Sequence, residues 1–215
     1  EGNFAMEIAA PKIKGYAPLN LVLGKPYLIW LNRFGRRFAD EGIVYNFAMA
    51  ANAVMAQPGS KVWVVFTQSQ LDKTLSDGRD MIELIHIDSN AEAQLPAALE
   101  QAMTGGILKK AQSPQELGEF IGCSGQAVAQ AVAEYNRFCR EGRDRLFAKD
   151  RRYLLAMEEG PYYAIAAGAD MLITHGGIRV NEFFQALRPD YTPVPGLYMA
   201  GVDFGGADAD VYNVE

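Results

Sequence analysis

The chain has 215 residues, of which 49% are hydrophobic and 21% charged, as in an ordinary soluble globular protein. Its net charge of −6 argues against a protein that binds nucleic acid or anionic membranes, because both are negatively charged and attract a basic surface. No apolar run reaches the ~18 residues that a membrane span needs. Cys123 and Cys139 form no C-x-x-C pair and have no histidine cluster nearby, so two ordinary thiols are expected rather than a zinc or redox site.

The first eleven residues predict the end of a helix. Phe4 and Ile8 fall at helical spacing with several alanines, and Pro11 would stop the helix. This stretch has neither the basic nor the apolar region of a signal peptide. Both ends of the chain resemble interior points of a longer protein, so localisation is left open between the cytoplasm and the cell envelope.

Residues 26–38 predict a β-hairpin. Two runs rich in strand formers flank residues 32–35, and the glycine that closes this stretch suits a tight turn. We interpret Arg33, Arg36 and Arg37 as solvated arms of the hairpin, with a basic ligand patch as the alternative.

Helices and strands alternate over the next seventy residues. Residues 45–56 have the composition of a helix, and residues 61–66 predict a buried strand from their β-branched and aromatic content. His86 lies in an alternating run and is interpreted as a strand residue. Residues 90–103 predict a helix that ends at Gly105-Gly106.

Two further helix starts follow, at Ser113 and Ser124. Residues 113–116 read as a capping box with proline at the first helical position. The second helix is expected to end at Gly142. Its apolar face has the spacing i, i+3, i+4, i+7 and predicts a core contact made by Val128, Ala131, Val132, Tyr135, Phe138 and Cys139.

The end of the chain predicts a ligand loop. Residues 196–200 suggest a buried strand that enters a turn containing Gly201, Gly205 and Gly206. Glycine has no Cβ, so such a turn lets the backbone approach a bulky ligand. Taken together, the element order predicts an α+β fold.

Five motifs in order identify a family. They are LNRFGRRFADE at 31–41, GRDRLFAK at 142–149, GPYYAI at 160–165, THGGIRVN at 174–181 and PVPGLYMAGVDFGG at 193–206. Together they resemble the flavoprotein family of fumarate reductase and succinate dehydrogenase, which includes urocanate reductase and 3-ketosteroid dehydrogenases. The matching patterns are VN-x-x-G-x-RF-x-x-E, G-x-D-x-x-F-x-K, P-[FY]-YA, T-x-GG and P-x-PGLY-x-AG-x-x-x-GG.

The resemblance implies a split architecture. Residues 1–173 would form a capping domain, and residues 174–215 would be a returning, incomplete segment of the FAD-binding domain. No G-x-G-x-x-G follows a strand in this sequence, so the phosphate-binding turn is not among these residues. The cofactor implied for the intact protein is FAD, and we expect the chain alone to be a fragment that holds no flavin and is inactive.

The substrate positions depart from the fumarate reductase pattern. Tyr45 stands where that branch has an arginine acid, Ile173 where it has a histidine, and Tyr212 where it has a second arginine. Without these groups a dicarboxylate lacks its bidentate contacts, so the resemblance implies a more aromatic substrate such as an enone, a steroid or a phenolic compound. Tyr45 and Tyr212 are catalytic candidates, with packing or loop positions as the alternatives.

The flavin would lie along the two glycine motifs. The residues that the resemblance assigns to cofactor binding are Thr174, Gly176, Gly177, Gly201, Asp203, Gly205 and Gly206. His175 lies inside T-x-GG and would bond the flavin edge or tune its potential, a simple loop histidine being the alternative.

The resemblance therefore implies an FAD-dependent oxidoreductase that moves a hydride between flavin and an activated C=C bond. Its partners would be a small unsaturated substrate and an unidentified electron donor, with no nucleic acid and no membrane span in this segment. The alternative is a cap-like domain used as a non-catalytic binding or interaction module.

Overall fold

A computed structural model describes residues 3–9, 11, 14–77, 79, 89–175 and 177–205 of the chain. The strands are β1 (Asn3–Ala9), β2 (Ile29–Leu31), β3 (Lys61–Thr67), β4 (Leu108–Ala111), β5 (Tyr162–His175), β6 (Gln185–Leu187) and β7 (Pro193–Tyr198). The α-helices are α1 (Asn20–Leu23), α2 (Phe47–Met55), α3 (Gln68–Asp77), α4 (Ala91–Thr104), α5 (Gly118–Ile121) and α6 (Gly125–Glu141). No helix among these residues is long and apolar enough to cross a membrane.

Five strands form one antiparallel sheet around β5. The order is β1-β5-β3-β2, and β4 also pairs with β5. The N-terminal half of β5 pairs with β3, with Val64 opposite Ile165, while its C-terminal half pairs with β1. Since β5 contacts three other strands, it organises the whole sheet.

Both faces of this sheet are buried. Along β3, Val62, Val64 and Phe66 point into one core cluster, and Trp63 and Val65 point into the other. Helices α1 to α4 cover the first face, whereas α5 and α6 cover the second. Burial on both faces explains why residues 61–66 read as a continuous apolar run rather than an alternating one. The α+β class predicted from the sequence is confirmed.

The N-terminal helix prediction was wrong, because residues 3–9 form β1. This segment runs antiparallel to β5, with Asn3 opposite His175 and Ala9 opposite Gly168. The open edge of the long strand β5 gives the backbone of this segment hydrogen-bond partners that an isolated stretch lacks. Tertiary pairing therefore outweighs the helical spacing of Phe4 and Ile8.

The hairpin predicted at 26–38 exists only as a turn. The Gly35 amide donates to the Asn32 carbonyl (2.9 Å), and the Asn32 amide donates to the Arg36 carbonyl (3.0 Å). The second arm is not a strand, however, and β2 pairs with β3 instead. Arg33 and Arg36 are exposed, as expected for solvated arms, but Arg37 is buried.

The helices predicted at 45–56, at 90–103 and after Ser124 are confirmed. The helix predicted from Ser113 is instead a 3-10 turn, Pro114–Leu117, followed by the short helix α5, and the predicted capping box does not form: the Ser113 hydroxyl donates to the Glu116 carboxylate (2.8 Å) and caps no amide. α2 lies within its expected range and α4 ends one residue beyond its own, while α6 begins after Ser124, whose hydroxyl accepts from the Gln126 amide (3.2 Å). Gly142 ends α6 with φ at 68°, a conformation in which glycine carries no steric cost. On its predicted core face, Val128, Val132, Tyr135 and Phe138 are buried, while Ala131 and Cys139 are half-buried.

The C-terminal strand differs from its prediction. β7 covers Pro193–Tyr198 rather than residues 196–200, and it is largely exposed because only β6 pairs with it among the described residues. The predicted boundary between residues 173 and 174 lies inside β5 and stays a prediction. His86 lies outside the described residues.

Candidate functional site

Two of the family motifs meet in a buried charge network made of Arg37, Glu41, Asp144 and Lys149. Arg37 donates through Nε and Nη2 to Glu41 (2.8 and 2.6 Å), and Nη2 also donates to Asp144 Oδ2 (2.8 Å). Lys149 Nζ lies 2.8 Å from Glu41 Oε2. The four charges sum to zero and the side chains are almost fully buried. The sequence interpretation of Arg37 as a solvated arm was therefore wrong.

The pKa values within this network are shifted by burial and by pairing. Burial alone would raise the pKa of Glu41, but the charges of Lys149 and Arg37 outweigh it and lower this pKa. Burial alone would likewise raise the pKa of Asp144, but the hydrogen bond from Arg37 outweighs burial and lowers this pKa. Burial lowers the pKa of Lys149, and Glu41 only partly restores it. Burial alone would lower the pKa of Arg37, but its two carboxylate partners, Glu41 and Asp144, outweigh burial and raise this pKa. Both carboxyls are therefore held ionised at neutral pH.

This network holds two short 3-10 turns, Glu41–Tyr45 and Arg151–Tyr153. Glu41 opens the first turn, and its carboxylate also accepts from the Trp30 amide of β2 (3.1 Å). Lys149 lies just before the second turn and donates to the Leu28 carbonyl (2.9 Å). The pair of Glu41 and Lys149 thus ties the first turn to β2 and the second to the residue just before β2.

Each turn also begins with an aspartate cap. Asp40 Oδ1 accepts from the Gly42 amide (2.8 Å), and Asp150 Oδ1 accepts from the Arg152 amide (3.0 Å). Such caps satisfy amides that have no partner inside the turn. The residues that end the two turns, Tyr45 and Tyr153, are consequently fixed in place.

The two tyrosines line one cavity, here called the Tyr45 cavity. Their ring centroids are 6.1 Å apart with an interplanar angle of 50°. Tyr45 is 38% exposed, so it does not pack in the hydrophobic core. The cavity has a volume of about 260 Å³ and is lined by Lys25, Pro26, Tyr27, Tyr45, Lys73, Asp77, Arg79, Arg152 and Tyr153.

Cations dominate the charged lining of the Tyr45 cavity. Lys73 pairs with Asp77 (2.8 Å), and Arg152 pairs with Asp150 (3.2 Å). Arg79 pairs with Glu92, and this hydrogen bond together with Lys25 lowers the pKa of Glu92 to about 2. The lining of the cavity therefore combines tyrosine rings with cationic side chains.

The two glycine motifs come together at a second place. The Ile178 amide donates to the Asp203 carbonyl (2.9 Å), and the Gly205 amide donates to the Ile178 carbonyl (3.0 Å). A Cβ on Gly177 would lie 2.4 Å from the Asp203 carbonyl oxygen. Gly177 and Gly205 are thus needed for the close approach of two backbones, a structural role that exists beside any contact with a cofactor.

The other residues predicted to bind flavin do not take part in this contact between Gly177 and Gly205, apart from the Asp203 backbone. Thr174 and His175 end β5, where their backbones pair with β1. Gly201 and Asp203 form a 3-10 turn, in which the Asp203 side chain is exposed. Gly176, Gly206 and Tyr212 lie outside the described residues.

The glycine loop fits one wall of a cofactor site. Gly201 has φ at 63°, and no atom of the described residues lies within 4 Å of the position that its Cβ would take. The backbone of Gly201 therefore leaves room for a bulky planar group, such as a flavin, to approach it. Around it, the 177–205 segment exposes Ile178, Phe183, Phe184, Leu197 and Tyr198.

Sequence reasoning missed Tyr153 and Arg152. The signal was present, because Tyr153 follows Lys149 by four residues just as Tyr45 follows Glu41 by four residues. These matching spacings place the two tyrosines side by side only because Glu41 and Lys149 form an ion pair, and the sequence does not show that pair.

Comparison with known proteins matches residues 12–211 to the family described as FAD binding domain. The chain is 29% identical over 215 residues to vinyl phenol reductase of Lactiplantibacillus plantarum, covering 98% of this chain and 43% of that protein. It is 30% identical over 178 residues to a fumarate reductase (cytochrome) of Shewanella frigidimarina, covering 83% of this chain and 27% of that protein.

A solved structure has a similar fold. The 3-ketosteroid delta1-dehydrogenase of Sterolibacterium denitrificans, in complex with 1,4-androstadiene-3,17-dione, superposes with a TM-score of 0.64 at 20% identity, over 94% of this chain and 37% of that chain. The chain thus spans less than half the length of each of these three proteins. Since the family match covers most of the chain and all five motifs lie within it, the chain belongs to the FAD-binding flavoprotein family of fumarate reductase and succinate dehydrogenase.

Proposed function

We propose that this chain is part of an FAD-dependent oxidoreductase that transfers a hydride between flavin and an activated C=C bond of an aromatic substrate. The observation that carries the proposal is the position of Tyr45, which lines a cavity with a second tyrosine instead of packing in the core. The family membership and the name of the vinyl phenol reductase support the reaction class.

Fumarate is a poor candidate for the substrate. Positions 45, 173 and 212 carry tyrosine, isoleucine and tyrosine in place of the three groups that hold and protonate a dicarboxylate in the fumarate reductase branch. Each missing charge-assisted contact removes roughly 1.5–3 kcal/mol of compensation for burying a carboxylate. Where no other cation replaces these groups, the combined loss is on the order of 5–9 kcal/mol, or about four to six decades in kcat/KM.

Tyr45 is the proposed proton donor. Reduction of a C=C bond adds a hydride to one carbon and a proton to its neighbour, and the bound FAD would supply the hydride chemistry. The Tyr45 hydroxyl would hold the proton beside the second carbon, while the Tyr153 ring stacks along the substrate. The buried charge network would keep Tyr45 in position, because it fixes the turn that ends there.

The flavin contacts are part of the same proposal. Thr174, Gly176, Gly177, Gly201, Asp203, Gly205 and Gly206 would form one wall of the FAD site, and His175 would lie at the flavin edge. The close packing of Gly177 against Asp203 supports this arrangement, since it joins the two motifs into one surface. Tyr212 would complete the substrate site.

The test is steady-state turnover of the complete protein with a reduced dye. We expect the visible spectrum of a flavoprotein, and an efficiency with 4-vinylphenol or an enone that exceeds that with fumarate by several orders of magnitude. Tyr45→Phe should lower kcat by about a hundredfold or more while the flavin spectrum is retained.

Tyr191→Phe is the matched control, because Tyr191 is exposed on the turn between β6 and β7. It should leave kcat unchanged. Fumarate turnover equal to that of the best aromatic alkene would refute the substrate assignment. Unchanged rates in the double variant Tyr45→Phe, Tyr212→Phe would refute the role of the tyrosines.

A further inference from the structure

We propose that Arg152, Lys73 and Tyr153 determine substrate specificity by binding a single-ring aromatic compound that carries one negative charge. This inference rests on the proposed function and assigns the Tyr45 cavity to the ring and its acidic group. Tyr153 and Arg152 belong to the turn at Arg151–Tyr153, which none of the five motifs contains.

The aromatic part of the ligand follows from the walls of the cavity. Tyr45 and Tyr153 meet at an angle of 50°, and Tyr27 and Pro26 lie at the same cavity. Tyrosine rings favour offset or edge contacts with another ring. The cavity has a volume of about 260 Å³, below the ~300–1,000 Å³ that is usual for drug-sized ligands, so this part of the site accommodates a single ring with a short side chain.

The negative charge follows from the charged lining. Four of the lining side chains are cationic and one, Asp77, is acidic. Arg152 lies over the ring of Tyr153 at 4.7 Å, and Lys73 lies over the ring of Tyr27 at 5.7 Å. A cation next to an aromatic wall can bind an acidic group whose ring packs on that wall.

The existing ion pairs leave room for such a ligand. Lys73–Asp77 and Arg152–Asp150 are pairs of exposed side chains, which are worth little in water. Arg152 can therefore share its guanidinium between Asp150 and a ligand carboxylate at small cost. Arg79 is more buried than these two, and its bond to Glu92 suits it to hold the cavity wall.

The experiment compares a charged and a neutral form of one ligand in the complete flavoprotein. The probes are 4-hydroxycinnamate and its methyl ester, which have the same ring and the same C=C bond. We expect the acid to have a KM at least about tenfold lower than the ester. Arg152→Gln should raise the KM for the acid by roughly tenfold or more and leave the KM for the ester unchanged.

Arg151→Gln is the matched control, because Arg151 is also exposed, carries the same charge and does not line the Tyr45 cavity. It should leave both KM values unchanged. A second readout is binding of the saturated acid 3-(4-hydroxyphenyl)propanoate, followed by its perturbation of the flavin spectrum. Tyr153→Leu should weaken this binding by about tenfold.

The outcomes separate the two levels of the proposal. Equal KM values for acid and ester, together with no effect of Arg152→Gln, would refute the charge assignment while the reaction class stands. An equal rise in both KM values in Arg152→Gln would show a structural effect and refute it as well. Absence of turnover with every aromatic alkene would refute the proposed function and this inference with it.

Discussion

Glu41 and Lys149, far apart in the chain, form a 2.8 Å ion pair beneath the two turns that end in Tyr45 and Tyr153. Both side chains are completely buried, and Arg37 and Asp144 complete the network. Removing one partner of a buried pair leaves an uncompensated charge in a medium of low dielectric constant. The stability of the fold and the position of the tyrosine pair are therefore linked.

Glu41→Gln should strongly destabilise the chain. The substitution leaves Lys149 without its carboxylate partner and takes two charge-assisted bonds from Arg37, so we expect a loss of about 3–5 kcal/mol in the free energy of unfolding. Urea denaturation of the 215-residue chain measures this loss.

Glu134→Gln is its control, since Glu134 pairs with Arg137 at the surface (3.3 Å) and should contribute less than about 0.5 kcal/mol. Equal effects of the two substitutions would contradict a special role of the buried network.

Stability should fall in acid because of Glu41 and Asp144. The pKa values of both carboxyls are lower in the folded chain than their ordinary values of 4.5 and 3.8. The unfolded chain thus binds more protons as the pH falls, and the stabilisation that is complete above pH 4.5 is lost as the pH drops through the folded pKa values. Urea midpoints at pH 7, 5, 4 and 3 test this.

The Glu41→Gln variant should show a shallower acid dependence, because one of the two carboxyls is gone. Parallel curves for wild type and variant would mean that other groups cause the acid sensitivity.

Gly177→Ala should separate the two glycine loops. The added Cβ would lie 2.4 Å from the Asp203 carbonyl oxygen, so the hydrogen bonds of Ile178 and Gly205 have to break or lengthen. Amide hydrogen exchange at these two residues should accelerate about tenfold or more.

Gly168→Ala provides the comparison, because its Cβ would meet only the Ser60 carbonyl at an ordinary 3.6 Å. Unchanged exchange in Gly177→Ala would show that the loops do not depend on this contact.

The 215-residue chain should purify without stoichiometric FAD. Its glycine loop offers one wall of the flavin site, but no phosphate-binding G-x-G-x-x-G turn follows a strand in the sequence. The ratio of visible to ultraviolet absorbance measures retention. A flavin band at one equivalent per chain would overturn this expectation.

Local patterns predicted the helices well. The sequence of α6 contains local signals for a helix: the Ser124 cap, an apolar face at helical spacing and Gly142 at the end. The structure begins and ends this helix where these signals predict. Residues 3–9 carry no such caps, and their strand exists because the edge of β5 is available to pair with them. Spacing alone cannot report a partner that is distant in sequence.

For the candidate site, too, some features follow from the sequence and others only from the tertiary structure. The sequence by itself determined the family and the motif positions, because the motifs are contiguous strings of residues, and it made Tyr45 a candidate as the fourth residue after the first motif. Only the tertiary structure decided that Arg37 is buried and that Arg152 and Tyr153 share a cavity with Tyr45. The physical reason is that ion pairs act across space: a carboxylate at 41 and an ammonium at 149 must neutralise each other once both leave water, and their attraction brings two distant tyrosines together.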